Sequence, residues 1–376
     1  MNINATLKKE GIKVIEKLDT LKINKIASNI SEKICNAFPE HNIKKSELFI
    51  AISRLNMYIA EMPNDMAVAK YFYKNNSIYF SKDMDLNDLN TLAVHECIHF
   101  MQELKNKRGK LLRLGLYNME NNVNTGLAIN EAAVQLMASI ATNSKLDSVK
   151  YYNMELTTES PDFYPLQTSL LKEMIYFTGT YPLYHSTLFS NDVFKNTFIA
   201  KSSSSIYNKI EYNLDLILHY EERLSEEIYK LSVISDEKNI QKIKRINSKI
   251  DALKQIIFEK TLETQNTIIY NCFNNEFDSI KNLEDIKNFQ YKIYNFKHLI
   301  INTDNYNYYN DFYRDMMNKL DDKREFIKKY GNITEFNNSL RELSALQEQT
   351  YGFKFFKKLF TKFKLIIEDK LRVKEY

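Results

Sequence analysis

Tryptophan is absent from this chain, and its 376 residues include only 7 glycines, 5 prolines and 3 cysteines. Folds built from many strands and tight turns draw on glycine and proline. Their scarcity predicts a mostly helical chain and excludes collagen-like and flexible-linker compositions. Cys35, Cys97 and Cys272 are an odd, widely spaced set. They form neither a disulfide framework nor a CxxC metal knuckle, which points to reduced thiols in a cytoplasm. No apolar h-region follows the N-terminus, and no stretch of about 20 apolar residues exists, so neither a signal peptide nor a spanning helix is predicted. The longest uncharged run, Met174 to Asn191, is broken by Gly179, Pro182 and His185. A cytoplasmic location is expected, with export by a non-classical route left open.

Charge of one sign is also missing. Lys+Arg 52 against Asp+Glu 48 leaves +4, too mild on this length to imply a nucleic-acid partner. No Gly-rich phosphate loop and no GxSxG nucleophile elbow is found. What is present is a hydrophobic fraction of 44% with 13% aromatics, ample for a buried core.

Hydrophobic spacing organises the chain. The first 40 residues read as amphipathic helix, with Ile12, Val14, Ile15, Leu18, Leu21, Ile23, Ile26 and Ile30 at helical intervals. A second helix is expected from Glu47 to Glu61, capped by Ser46 and stopped near Pro63. The period then changes: Ala69–Tyr73 and Ser77–Ser81, separated by Lys74-Asn75-Asn76, predict a β-hairpin. Helices are expected from Asp83 or Asp85 to about Leu104, from about Leu127, and from Leu166 to Phe177, the last followed by an irregular TGTYPLYHS segment. Ser202–Ser205 reads as a linker or cap. Beyond it, proline disappears and Ile243, Ile246, Ile250, Leu253 and Ile257 form a short seam, predicting an antiparallel helical hairpin with Ile206–Leu231. Further helices are expected around 267–300, 305–329 and 333–349. Phe353–Lys374 reads as a basic amphipathic helix, suited to packing on the helical half or to a peripheral contact with a protein or membrane surface.

One motif carries chemistry. His95-Glu96-Cys97-Ile98-His99 is an HExxH. Spacing i, i+4 puts both imidazoles on one helix face, one turn apart, where they can share a Zn²⁺. Glu96 lies beside that stripe and can pass a proton from an activated water to a leaving amine. The chain has only six histidines, and the motif sits among Leu92, Val94, Ile98 and Met101 after the strand SIYFS. Cys97 points off the metal face and reads as a small core residue.

This arrangement resembles the zincin superfamily of zinc metallopeptidases. The resemblance implies a substrate-pairing strand edge, here Tyr79–Ser81, suited to extended peptide. The metzincin extension would need Gly at 102 and His at 105, where Gln102 and Lys105 stand. An aspzincin-like GTxxD would need Asp at 183, where Leu183 stands. The segment Gly126-Leu-Ala-Ile-Asn-Glu131-Ala-Ala is similar to the downstream NEA of gluzincins and makes Glu131 the third-ligand candidate, with Glu120 in reserve. Ala128, Ala132, Ala133 and Ala138 would let two helices approach closely. Thermolysin-type members place Asp four residues after the ligand Glu; here Gln135 stands there, an amide still able to accept an imidazole N–H. Similar proteins use a downstream His or Tyr to stabilise the oxyanion, which implicates His185, with Tyr181 and Tyr184 as alternatives.

The resulting expectation is an α+β, predominantly helical protein: a zincin-like domain over 1–200 with a small antiparallel sheet, then an all-helical domain over 201–376. The expected function is a zinc-dependent peptidase, an endopeptidase before an exopeptidase, acting on a peptide or protein substrate. His95, His99 and Glu131 bind the metal, and Glu96 with His185 serves the chemistry. The alternative is a binding or scaffold protein whose zinc site is structural or vestigial, working through its helical half. Oligomeric state is left open.

Overall fold

The computed structural model describes residues 3–63, 68–86, 91–119, 124–234, 240–303 and 308–330. It is mostly helical with small sheets, an α+β chain. The first stretch runs α1 (Ile3–Lys9), β1 (Lys13–Lys17), α2 (Thr20–Ala37), α3 (Lys45–Ser53), β2 (Asn56–Glu61), β3 (Ala69–Phe72), β4 (Ser77–Ser81) and α4 (Thr91–Met101). Then follow β5 (Glu103–Lys105), β6 (Leu111–Leu114), β7 (Tyr117–Asn118), α5 (Leu127–Ala141), β8 (Asp147–Tyr151), β9 (Met154–Thr158) and α6 (Pro165–Thr178). The remainder is α7 (Thr180–Phe189), α8 (Val193–Lys201), α9 (Ser204–Ser232), α10 (Ile240–Ser279), α11 (Leu283–Phe296), β10 (Asn302–Thr303) and α12 (Tyr308–Tyr330).

The hairpin forms as its sequence predicts, with Ala69 opposite Phe80 and Phe72 opposite Ser77. The sheet around it is larger than expected and mixed. Its order is β1-β2-β4-β3, and β2 runs parallel to β4. Two segments expected to be helical are strands. Gly11, at φ 73°, ends α1, and Val14 and Glu16 then pair with β2, Ile15 bulging between them on an exposed edge. Asn56–Glu61 lies between β1 and β4 with Met57 and Ala60 fully buried; pairing on both sides overrides its helical spacing. Beneath, Leu7, Ile12, Ala60, Phe72 and Tyr79 form one apolar cluster.

The expected substrate-pairing edge also moves. β4 is paired on both sides and all five of its residues are buried, so Tyr79–Ser81 presents no edge. The free edge on that side belongs to β3.

The segment expected to be irregular after α6 is α7. Gly179, at φ 78°, closes α6, and Pro182 sits in the first turn of α7, where its missing N–H costs nothing. Ser203 caps α9, accepting from Ile206 N at 3.3 Å. The α9–α10 hairpin forms: Lys249 meets Glu227 at 3.6 Å and Lys209 meets Glu263 at 3.1 Å, an antiparallel register. Ile246, Ile250, Leu253 and Ile257 are buried along it, so the seam is used within the chain.

The described residues fall into two compact units, the first running up to residue 275 and taking in 296–303 and 308, the second comprising 276–295 and 309–330. The first continues past residue 200, where composition shifts, because α9 caps α5: Asp215 accepts from Gly126 N at 3.0 Å and Ala128 N at 2.8 Å. In the second unit Lys323 is buried, donates to Phe277 O at 2.5 Å, and is pushed down to about 8 by burial. The segments 333–349 and Phe353–Lys374 lie outside the described residues. No helix among the described residues is long and apolar enough to cross a membrane.

Candidate metal centre

Two helices build the site. On α4, Leu92, Ala93, Val94, Cys97 and Ile98 are buried, which fixes the helix and turns His95 and His99 toward α5. On α5, Ala128, Ala132, Ala133 and Ala138 are fully buried, and their small side chains let the two helices approach. The thiol of Cys97 is pushed up by burial and stays protonated.

His95 Nε2 lies 2.9 Å from His99 Nε2. Glu131 Oε2 is 3.3 Å from the first and 3.4 Å from the second. This group of three could hold a metal ion. Their side chains are 5%, 12% and 16% exposed, so the group is largely enclosed. Glu120 lies outside the described residues.

Hydrogen bonds behind the imidazoles fix where their protons sit. Leu116 N–H, a backbone donor with no alternative role, donates to Asn130 Oδ1 at 3.0 Å. Gln102 Nε2 donates to the same oxygen at 3.1 Å, which leaves Gln102 Oε1 facing His99 Nδ1 at 3.1 Å. His99 therefore carries its proton on Nδ1 and bares Nε2. Gln135 Oε1 does the same for His95, 2.9 Å from its Nδ1. Two bare nitrogens and a carboxylate oxygen thus point at one spot, which suits a cation. Without one, a proton fills the role. Burial alone lowers His99, but the Glu131 carboxylate outweighs it and raises the imidazole to about 9. Burial likewise opposes ionisation of Glu131, and the two histidines overcome it and hold the carboxyl well below its ordinary range.

Glu96 sits beside this group. Its Oε2 accepts Tyr71 N–H from β3 at 2.6 Å. Burial raises its carboxyl above the ordinary value, opposed by His95, His99 and the Tyr71 amide. Sequence reasoning missed four supporting residues. Gln102 stands three residues after His99, on the same face, and Asn130 directly precedes Glu131. Gly115, at φ 54°, has no room for a side chain: a Cβ would fall 2.2 Å from Gln102 Nε2 and 2.4 Å from Asn130 Oδ1. Tyr164, also left-handed at φ 54°, stacks on His95 with centroids 6.3 Å apart and bonds Glu131 through its hydroxyl. Burial, then the Glu131 and Glu96 charges, keep that phenol neutral.

His185 is not brought to this group. It lies on α7, stacked with Tyr181 at 5.4 Å and with His41 at 5.9 Å. Tyr184 packs edge-on against Phe38 at 5.0 Å.

Comparison with protein-family models, with curated proteins and with solved structures finds no match for this chain. The likeness to zincins therefore rests on the HExxH helix and the NEA segment alone.

Proposed function

We propose that this chain is a zinc-dependent peptidase whose centre is His95, His99 and Glu131. One observation carries the reading: three bare donor atoms lie within 3.4 Å of each other, with Glu96 beside them. A zinc ion bound there would supply Lewis acidity toward a peptide carbonyl and make a water nucleophilic at neutral pH. Glu96 takes the proton of the attacking water and delivers it to the leaving amine nitrogen. Tyr71 N–H anchors one carboxyl oxygen of Glu96 and so leaves the other to carry that proton. Burial favours the protonated form that the second half of this cycle needs. Tyr164, a neutral phenol stacked on His95, takes the oxyanion-stabilising role expected of His185. The free edge of β3, whose Tyr71 amide reaches Glu96, holds the extended substrate by strand addition.

The test is Glu96→Gln. It should retain about one zinc per chain by elemental mass spectrometry and lose roughly 10²–10⁴-fold in peptide turnover. Full turnover in that variant, or no zinc uptake by the parent chain, defeats the reading.

A further inference from the structure

A cleft of about 610 Å³ opens between two hairpins. The β3–β4 turn contributes Tyr73, Lys74 and Asn76, and the β5–β6 hairpin contributes Lys105 and Lys110. Among the described residues lining it, three are lysines and none is acidic. Lys74, Lys105 and Lys110 are all exposed. Glu103 pairs with Lys105, and Lys74 Nζ lies 5.7 Å from the Tyr73 ring centroid. The tip of the second hairpin is held in shape: Asn106 Oδ1 accepts from Arg108 N at 2.9 Å and Lys110 N at 3.0 Å. Its lysine is thus presented on ordered backbone.

Tyr71 ties this cleft to the chemistry. Its amide bonds Glu96 at 2.6 Å, and its hydroxyl bonds Glu103 at 2.8 Å, the partner of Lys105. Tyr73, a cleft residue, follows two positions along the same chain, in the turn that ends β3. Among the described residues β3 pairs on one side only, with β4, and the Tyr71 N–H points the other way, toward Glu96. A peptide added to that edge would pass Glu96 and reach the lysines within a few residues.

We propose that this basic cleft is a substrate subsite for an acidic side chain, Asp or Glu, close to the bond that Glu96 serves. The inference rests on the peptidase reading for its placement. A peptide is the occupant because the cleft continues a strand edge, whose amides and carbonyls complement another backbone. The whole-chain charge of +4 does not favour nucleic acid.

The experiment reads binding on the full chain by fluorescence anisotropy, so it does not depend on hydrolysis. The probes are a labelled Glu-rich decapeptide, its Gln-for-Glu analogue, and a single-stranded DNA oligonucleotide of matched charge, at about 0.15 M salt. The acidic peptide should bind roughly tenfold tighter than its neutral analogue. In Lys74→Gln/Lys110→Gln the two should come within about twofold, with zinc content unchanged, since neither lysine touches the donor group. Equal or absent binding of the two peptides overturns the proposal. So does a preference that survives in the double variant. An oligonucleotide that binds more tightly than the acidic peptide, with the same loss in the variant, reassigns the cleft to nucleic acid. Acid preference without hydrolysis of any peptide leaves the cleft standing and removes the peptidase. Hydrolysis without acid preference does the reverse.

Discussion

His95 and His99 meet with Nε2 atoms 2.9 Å apart, whereas His41 and His185 stack with ring centroids 5.9 Å apart. Both pairs are largely enclosed in the same compact unit, yet their chemistry runs in opposite directions. Each ring of the first pair has its Nδ1 held by a glutamine oxygen, and a carboxylate touches both Nε2 atoms. In the second pair neither nitrogen of His41 has a hydrogen-bond partner, nor does Nδ1 of His185. Glu40 lies 3.4 Å from His41 Nε2 but out of hydrogen-bonding line. The consequence is visible in the acidities: His99 is raised to about 9, and His41 is lowered by burial and by His185. A histidine is poised to take a cation when a second partner fixes its tautomer and a carboxylate completes the charge. Enclosure alone makes it a poor base in an aromatic stack.

The strongest way to break this contrast is to remove the carboxylate. Glu131→Ala should weaken zinc binding by more than the roughly 10–100-fold typical of a change behind the ligands. His185→Ala should leave about one zinc per chain. Elemental mass spectrometry on both variants decides it, and metal loss in His185→Ala would erase the distinction.

Next in size is the tyrosine that replaces His185 in the proposed chemistry. Tyr164→Phe should lower kcat about 10²–10³-fold, the scale of one lost oxyanion donor, with KM little changed and zinc retained. Tyr181→Phe, in the other stack, should leave kcat as it is. Steady-state kinetics on a cleavable peptide separates the two.

A smaller effect should follow from freeing the tautomer. Gln102→Leu leaves the His99 proton unheld and strands Asn130 in the core. Zinc affinity should fall about 10–100-fold, measured by competition with a chromogenic chelator. The orphaned amide should also cost about 1–3 kcal/mol of stability. Gly115→Ala should act in the same direction, because its Cβ has only the Gln102–Asn130 pair to displace.

These residues also mark how far the primary structure could be read. His95 and His99, with Glu96 between them, stood out because helical spacing is local: i, i+4 needs no knowledge of the fold, whereas Glu131 came only from the resemblance of its NEA segment to gluzincins. The hairpin was legible for the same reason. Gln102 and Asn130 adjoin the motif residues, yet their roles depend on Leu116 N–H, brought in by β7's approach to α5. Tyr164 is one of 25 tyrosines, and its left-handed backbone has no signature before Pro165. Strands β1 and β2 differ from the helical expectation because their apolar spacing fits either period, and only pairing decides, β1 with β2 and β2 with β4. The edge of β3 was hidden for that reason too: which strand lies outermost is a property of the sheet.

The smallest effect sharpens the comparison from the side of His41. Its imidazole is neutral in the fold because burial opposes the charge, with His185 adding to that and Glu40 opposing it. An unfolded chain binds the proton at the ordinary value of 6.5. Below that pH the unfolded state therefore holds more protons than the folded one, and stability is lost as pH falls from 6.5 toward the depressed value. His41→Phe keeps a ring against Tyr181, which now stacks at 4.7 Å, and removes the titration. Its Tm should fall less than that of the parent chain between about pH 6.5 and 5. Parallel curves would mean that Glu40 offsets the burial. Saturating zinc should raise both Tm values alike, since it acts on the other pair and binding to one group does not alter the proton balance of the second.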